Sequence, residues 1–421
     1  MTRNKILAIL AFGLISITAV EAGEILTWEA CVTQASQNNP ELLAAQASLR
    51  SAEYQTKAAG SGFLPQVSAS VNYTDENTSV PAAASSSTAN YSAAVTATQN
   101  IFSGFQDKAK LAQGTANQEA AQANLDSIKA KVSFDLKSAF AALLYAQNYL
   151  KLTDDIIRRR EENMRLVELR FEGGRENKGS FLLSRASLSQ AKLDNLQAQH
   201  ALQVAQEQLA NALGKKSSSE VQIAGSIPLK EPETVVDLEQ LALQTPDHRQ
   251  VSAQEKSATA GVSLAQSPLY PSLNLTGTSA RQGNNWIPDN NRHSVGVSLS
   301  IPLYNGGRDY YGTRSAVNDL SAATYNRERV DQQLITKLRQ ASTGYIEAVE
   351  KLKVDQSFVE AATARAEIAR NKYDNGLISF EDWDIIENDL ISRQKTLVQS
   401  QRDRIVSEAS WEQIQGKGVI P

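Results

Sequence analysis

Cysteine is nearly absent: Cys31 is the only one among 421 residues. A single thiol closes no internal disulfide, so no disulfide framework holds this chain together. Histidine is almost as scarce. His200, His248 and His293 stand far apart in unrelated contexts, which leaves neither a His-based metal cluster nor a His-centred triad. No glycine loop of the nucleotide-binding kind is present, so the residues offer no catalytic site, no cofactor site and no metal site. An excess of one charge is missing too. The 42 basic and 46 acidic residues give −4, and the basic ones are interleaved with acids along helical patterns, so nucleic acid is not an expected partner. Beyond residue 22 no hydrophobic run is long enough for a membrane-spanning helix.

The first residues read differently. Arg3 and Lys5 form a positive start, 6–20 is apolar, and Val20-Glu21-Ala22 offers small residues for cleavage before Gly23. Residues 1–22 are therefore expected to be a secretory signal peptide, since the apolar run is shorter than the ~20 residues a spanning helix needs. Cys31 follows Trp28-Glu29-Ala30, and Trp28 and Glu29 spoil the small aliphatic run that lipidation needs.

What the chain does have is duplication. The turn Tyr373-Asp374-Asn375-Gly376-Leu377-Ile378-Ser379-Phe380 sits between two long helical patterns, and Phe171-Glu172-Gly173-Gly174-Arg175-Glu176-Asn177-Lys178 has the same setting. Gly174 and Gly376 are 202 residues apart, and the same offset pairs Gly104 with Gly306, Leu136 with Leu338, Leu188 with Leu390 and Gly214 with Gly416. The expected organisation is two similar units, 23–213 and 235–421, with a Lys-, Ser- and Pro-rich linker at 214–234 wrapping the middle of one elongated body.

Each unit opens with a helical pattern (27–60, interrupted near Asn39-Pro40, and 235–266) and then changes period from 3.6 to 2. Four strands are expected, at 64–76, 90–102, 271–281 and 293–304, in two hairpins with polar loops at 75–90 and 281–292. Their apolar positions (Val67, Val71, Val95, Leu273, Val297, Leu299) alternate with Ser, Thr and Asn and with almost no charge. A half-buried sheet in water shows this alternation, and so does a membrane barrel with a wet lumen. Aromatics tip the balance. Phe63 and Tyr270 precede the first and third strands and Phe102 and Tyr304 follow the second and fourth, so all four gather at one end as an interfacial belt does. Four strands cannot close a barrel, and open edges are not tolerated in lipid, so other copies of the chain must complete it.

The strands lead into long helical patterns at 106–171, with Gly114 as the one interruption, and 308–372, followed by shorter returns at 180–213 and 381–415. Helices of this length without a globular core point to coiled-coil packing, and the many alanines permit close approach.

The chain resembles the TolC-like outer-membrane efflux protein family. The resemblance rests on Leu26-Thr27-Trp28-Glu29-Ala30 leading to Asn38-Asn39-Pro40-Glu41-Leu42, on Leu64-Pro65 and on Tyr270-Pro271-Ser272-Leu273. It rests most on Ser300-Ile301-Pro302-Leu303-Tyr304-Asn305-Gly306-Gly307-Arg308 and Lys372-Tyr373-Asp374-Asn375-Gly376-Leu377. It implies a mainly α fold with a membrane β portion: a homotrimer with four strands per protomer in a 12-stranded barrel, and long hairpins in a periplasmic α-barrel. It implies an outer-membrane exit duct of a Gram-negative cell, set in outer-membrane lipid, for efflux or type I secretion. Its partners would be a periplasmic adaptor (membrane fusion) protein and an inner-membrane pump or ABC transporter, with no enzymatic step of its own. Carried over by position, Tyr373 matches a tip tyrosine and Asp382 a constricting acid, with Asp384 and Glu387 nearby at shifted spacing. Gly173, Gly174, Arg175, Gly376 and Leu377 form the tip turns that would dock the adaptor. The chain departs from the pattern at Ile378, where an arginine can join the lock, and at Ser180, where the first hairpin often has an acid. For Asp382 a solvated helix-start acid is the plainer alternative. The rival readings of the whole chain are a periplasmic adaptor, which has only one such hairpin, and a soluble coiled-coil scaffold, which leaves the four aromatics unexplained.

Overall fold

The computed structural model describes residues 25–78, 86–215, 221–232 and 237–421, and the expected signal peptide lies outside them. In chain order the elements are β1 (Ile25–Leu26), α1 (Trp28–Asn38), α2 (Pro40–Ala59), β2 (Gln66–Thr78), β3 (Ser86–Ser103), α3 (Gln106–Glu172) and α4 (Lys178–Ala212). They continue with β4 (Gln222–Ile223), α5 (Leu238–Gln244), α6 (Pro246–Gln266), β5 (Ser272–Gly283), β6 (Asn290–Ser300), α7 (Arg308–Asp374) and α8 (Phe380–Ile414). Helices α3 and α7 have 67 residues each, which is roughly 100 Å of helix.

The short helices begin where capping chemistry says they should. Thr27 Oγ1 accepts the Ala30 N–H ahead of α1, and Asn39 Oδ1 accepts the Glu41 and Leu42 N–H groups ahead of α2. Pro40 then takes the first helical position, where its missing N–H costs nothing. The expected single helix at 235–266 is in fact two. Thr245 caps α6 and Pro246 opens it, because a proline inside a helix has no N–H to give and pushes the preceding residue out of the helical region. Asn39-Pro40 and Thr245-Pro246 are 206 residues apart, as are Pro65 and Pro271. The offset falls to 202 only after the strands, so the first strand pair with its connection is four residues longer.

Gly114 does not interrupt α3. A Cβ there would lie 3.3 Å from the Thr56 Cα, and Thr56 Oγ1 donates to the Gly114 carbonyl at 2.9 Å, so the glycine lets α2 lie close against α3.

The helices form a layer rather than a bundle with a central core. Away from the strands the packing order is α4, α3, α8, α7; toward the strands it is α2, α3, α6, α7. Alanines along the seams (Ala116, Ala123, Ala130, Ala191, Ala198, Ala366) are buried, which permits the close approach. The largest apolar cluster sits at mid-height, where Trp28, Cys31, Leu42, Leu136, Phe140 and Leu209 meet Val221, Ile223 and Ile227 of the connecting segment. The Trp28 and Phe140 rings meet edge to face at 5.3 Å. Strand β4 pairs in parallel with β1, so the expected linker is tied to the segment just ahead of α1. A buried ionic cluster holds its far end. Lys137 Nζ lies 2.8 Å from carboxylate oxygens of Glu408 and Glu412, Lys230 Nζ is 2.7 Å from Glu412, and the Tyr345 hydroxyl donates to the Lys230 carbonyl.

The four long strands form one antiparallel sheet in the order β2-β3-β5-β6, which leaves β2 and β6 as unpaired edges. The expected loops are shorter than alternation implied. Asp75 pairs with Ala89 and Thr78 with Ser86, so the ladder runs through most of the expected loop at 75–90. Likewise β5 reaches Gly283 and β6 begins at Asn290, inside the expected loop at 281–292. At the other end β6 stops at Ser300 rather than 304, since Pro302 has no N–H for a ladder. Phe102 lies inside β3, next to a register shift between Asn100 and Phe102, rather than after the strand.

Candidate functional site

Cross-strand register decides what each face of the sheet presents. Val71, Ala93, Arg281 and Asn291 form one row, Ala69, Val95, Ser279 and His293 the next, and Val67, Ala97, Gly277 and Val295 the third. Further rows toward the helices bring Leu275 opposite Val297 and Leu273 opposite Leu299. The apolar residues of all four strands therefore share one face. The opposite face carries Ser68, Ser70, Asn72, Thr96, Thr278, Asn274, Ser294 and Ser298. Among the described residues nothing covers the apolar face: Val71 is 85% exposed and Val295 81%.

The apolar band is stepped. Its distal edge is Tyr73 on β2 but Val295 on β6, and the row of Val295 contains Val67, six residues below Tyr73. Six residues are ~20 Å along a strand, and three strand spacings are ~14 Å across, so the band runs at roughly 55° to the strand normal. A level band on steeply tilted strands is what a barrel requires, where tilts of ~35–45° are usual.

Aromatic residues bound the band at both ends. Near the helices, Phe102 meets Phe105 at 5.1 Å and Phe105 meets Tyr270 at 5.5 Å, both edge to face. Phe63 and Tyr304 are exposed at the same end, on the short helical turn before β2 and on the link between β6 and α7. Phe105 has φ +68, where the corresponding position 202 residues on is Gly307; its ring contacts offset that strain. At the distal end Tyr73 packs on Tyr91 at 4.9 Å and Tyr91 on Trp286 at 5.7 Å. Sequence reading missed this second group, because Trp286 fell in an expected loop. The alternation already contained Tyr73 as its last apolar position. From Tyr91 to Phe102 is ~36 Å of strand, or about 25 Å of height once tilted.

At the far end of the helices the two hairpin turns share one geometry. Arg175 N donates to the Arg170 carbonyl and Gly174 N to that of Phe171; Leu377 N donates to Lys372 and Gly376 N to Tyr373. Gly174 at φ +69 and Gly376 at φ +74 occupy the left-handed position of this capping motif. Gly173 does not need to be glycine, since its φ of −79 matches the −90 of Asn375. Arg175 and Leu377 are exposed.

Tyr373 is buried under the turns. Its ring stacks on Trp383 at 4.4 Å, the Arg170 guanidinium lies 4.5 Å from the ring centre, and its hydroxyl donates to Glu176 at 2.9 Å. Burial, then the Glu176 carboxylate, push its pKa well above the ordinary tyrosine value, so it remains a donor. Ile378 and Phe181 pack against this cluster, and Ser180, the residue before Phe181 on α4, is buried. Asp382 stands apart, exposed at the start of α8 in a cap with Ser379 at 2.9–3.1 Å. Asp384 and Glu387 face α3: Asp384 contacts Arg160 at 3.2 Å, and the buried Glu387 takes two hydrogen bonds from Arg159 at 2.5 and 2.7 Å. The structure thus brings Tyr373, Asp384 and Glu387 into contacts with the first hairpin, and leaves Asp382 out of them.

Among the described residues no group of three or more His, Cys, Asp or Glu is arranged to hold a metal, and no helix is long and apolar enough to cross a membrane. His248 Nδ1 is 2.7 Å from Asp331, a half-buried pair between α6 and α7.

The family model described as "Outer membrane efflux protein" matches residues 31–215 and 238–417. The chain is 22% identical to the outer membrane efflux protein BepC of Brucella suis biovar 1 over 425 residues, covering 94% of this chain and 88% of that one. It is also 22% identical to the solvent efflux pump outer membrane protein SrpC of Pseudomonas putida over 294 residues, spanning 59% of that protein's length and 65% of its own. The solved outer-membrane channel OprN superposes with a TM-score of 0.83 at 21% identity, covering 93% of this chain and 90% of that one.

Proposed function

The chain belongs to the outer membrane efflux protein family, and from that premise we propose that three copies of its four strands close a 12-stranded outer-membrane barrel. The paired long helices continue it as a periplasmic tunnel. The whole is the exit duct of a tripartite efflux or type I secretion system, fed through an adaptor by an inner-membrane pump or ABC transporter. One observation carries this reading: a single apolar face, exposed across four strands, stepped as a tilted barrel needs and ended by unpaired edges at β2 and β6. Bilayers tolerate no open edge, so β6 of one copy must meet β2 of the next. The Ser, Thr and Asn face then lines water, and the two aromatic groups lie at the two interfaces.

At the closed end, Tyr373 and Glu176 pin the two hairpins of one protomer together, with Glu176 supplying the acid that Ser180 lacks. Asp384 and Glu387 brace the same joint through Arg160 and Arg159. Asp382, exposed and without such a partner, faces the tunnel as the constricting acid. The turns around Gly174 and Gly376, with Gly173, Arg175 and Leu377 on their outer side, meet the adaptor.

The test is the native mass of the protein extracted in detergent from the outer-membrane fraction. A trimer is expected. A monomer in the periplasmic fraction would end the duct reading.

A further inference from the structure

With the apolar band level in the membrane, a second row of residues comes into line just beyond it. One position outward from the band's distal edge lie Tyr91 on β3, Arg281 on β5 and His293 on β6, all on the lipid-facing side by register. Arg281 and His293 are diagonal neighbours across the β5–β6 pair, since Arg281 pairs with Asn291 and Ser279 with His293; such positions are ~7–8 Å apart. Asn291 Oδ1 accepts from Arg281 Nε at 2.9 Å, which holds the guanidinium over this face and keeps its terminal nitrogens for other acceptors. Beside them Tyr91 carries the Trp286 ring, which is 81% exposed. The acids near this height are Asp289, one position beyond Arg281 and close to Gly283, and Asp75 at the β2 edge, two strands from Arg281, next to Tyr73 and brought toward His293 of the neighbouring copy where β6 meets β2.

We propose that Arg281 and His293, flanked by the Tyr91–Trp286 pair, form a binding site for the phosphorylated headgroup of a lipid in the distal leaflet. The argument is one of place and charge. Arg281 and His293 pair across the strands with Asn291 and Ser279 rather than with a carboxylate, and at the headgroup level the partner present in quantity is a lipid phosphate. A guanidinium makes paired hydrogen bonds to such an oxyanion, and the aromatic rings sit where headgroup meets acyl chain. This inference rests on the barrel reading.

Native mass spectrometry of the intact protein in detergent reads both ideas in one spectrum. The probes are a bisphosphorylated glycolipid and the same glycolipid with its phosphates removed. Wild type is expected as a trimer that retains the phosphorylated form about tenfold better. The variant Arg281→Gln/His293→Gln is expected as a trimer without that preference, while Arg292→Gln, on the opposite face, keeps it. Equal retention of the two lipids by wild type, or an undiminished preference in the double variant, overturns the site while leaving the barrel standing. A wild type that is monomeric in every spectrum overturns the barrel and the site with it.

Discussion

At the scale of single residues, the contacts that hold the two hairpins together are buried ion pairs, and these respond sharply to losing one partner. Glu387 is 1% exposed, with Arg159 at 30% and Asn163 Nδ2 at 3.4 Å as its donors. Arg159→Leu strands that carboxylate; with partial solvent access and Asn163 remaining, the expected loss is about 2 kcal/mol, below the 3–5 typical of a fully enclosed pair. Adding Glu387→Leu restores most of it, and thermal unfolding of the two variants side by side checks the order. Tyr345 supplies a pH signature. Burial, then the Glu408 carboxylate, push its pKa from 10.0 up to about 12. The raised value means the fold favours the neutral phenol: that stabilisation is complete below pH 10 and is lost as pH rises through about 12. Absorbance at 295 nm should show a late-titrating tyrosine that Tyr345→Phe removes, together with a smaller loss of melting temperature between pH 10 and 12. Neither cluster was legible in the sequence. Lys137 and Glu408 are 271 residues apart, and nothing local to either marks a buried partner.

At the scale of elements, local chemistry wrote most of the fold. The helix starts at Thr27 and Asn39-Pro40 and the left-handed turns at Gly174 and Gly376 follow from capping rules, as does the alternation of the strands. The break at Thr245-Pro246 obeys the same rules and was there to be read. Strand ends were less legible, because Ser- and Thr-rich stretches look like loops until a ladder and a membrane give both faces a use. Two glycines mark where elements meet. Gly416 ends α8 at φ +73, and a Cβ there would lie 2.1 Å from Pro246 Cδ; Gly214 ends α4 at φ +74, with a Cβ 2.2 Å from the Asn38 carbonyl oxygen. Gly174, also left-handed, has nothing within 4 Å. Gly174→Ala should therefore cost only the backbone term, about 1 kcal/mol, whereas Gly416→Ala must also displace a proline ring and should cost at least ~3 kcal/mol. Melting temperatures of the two variants, equal within error, would contradict the placement of the turn after α8 against Pro246.

At the scale of the whole molecule, the membrane decides. Val297 and Leu299 lie near the middle of the apolar band on the β6 edge and are 69% and 62% exposed in the single chain. On the proposed barrel, Val297→Asp or Leu299→Asp puts a charge in the lipid-facing wall, a penalty up to about 2 kcal/mol per site and repeated in each copy. The expected outcome is loss of the trimer from the outer-membrane fraction, read by the same native-mass measurement, with helical content by circular dichroism retained. Normal trimer yield would contradict the assignment of this face to lipid.

The step in the apolar band also sets a gauge. Strand number and strand tilt together fix a barrel's girth. In the proposed trimer, twelve strands spaced ~4.8 Å apart and tilted by roughly 45–55° would give a backbone radius of ~13–16 Å. The short serine, threonine and asparagine side chains of the inner face take little of that, leaving a bore of roughly 20 Å. A folded 100-residue domain, with a radius of gyration of ~13 Å, is too wide for such a bore, while small molecules and unfolded chains fit. If the proposed barrel forms, a protein cargo would pass through it only as an unfolded thread.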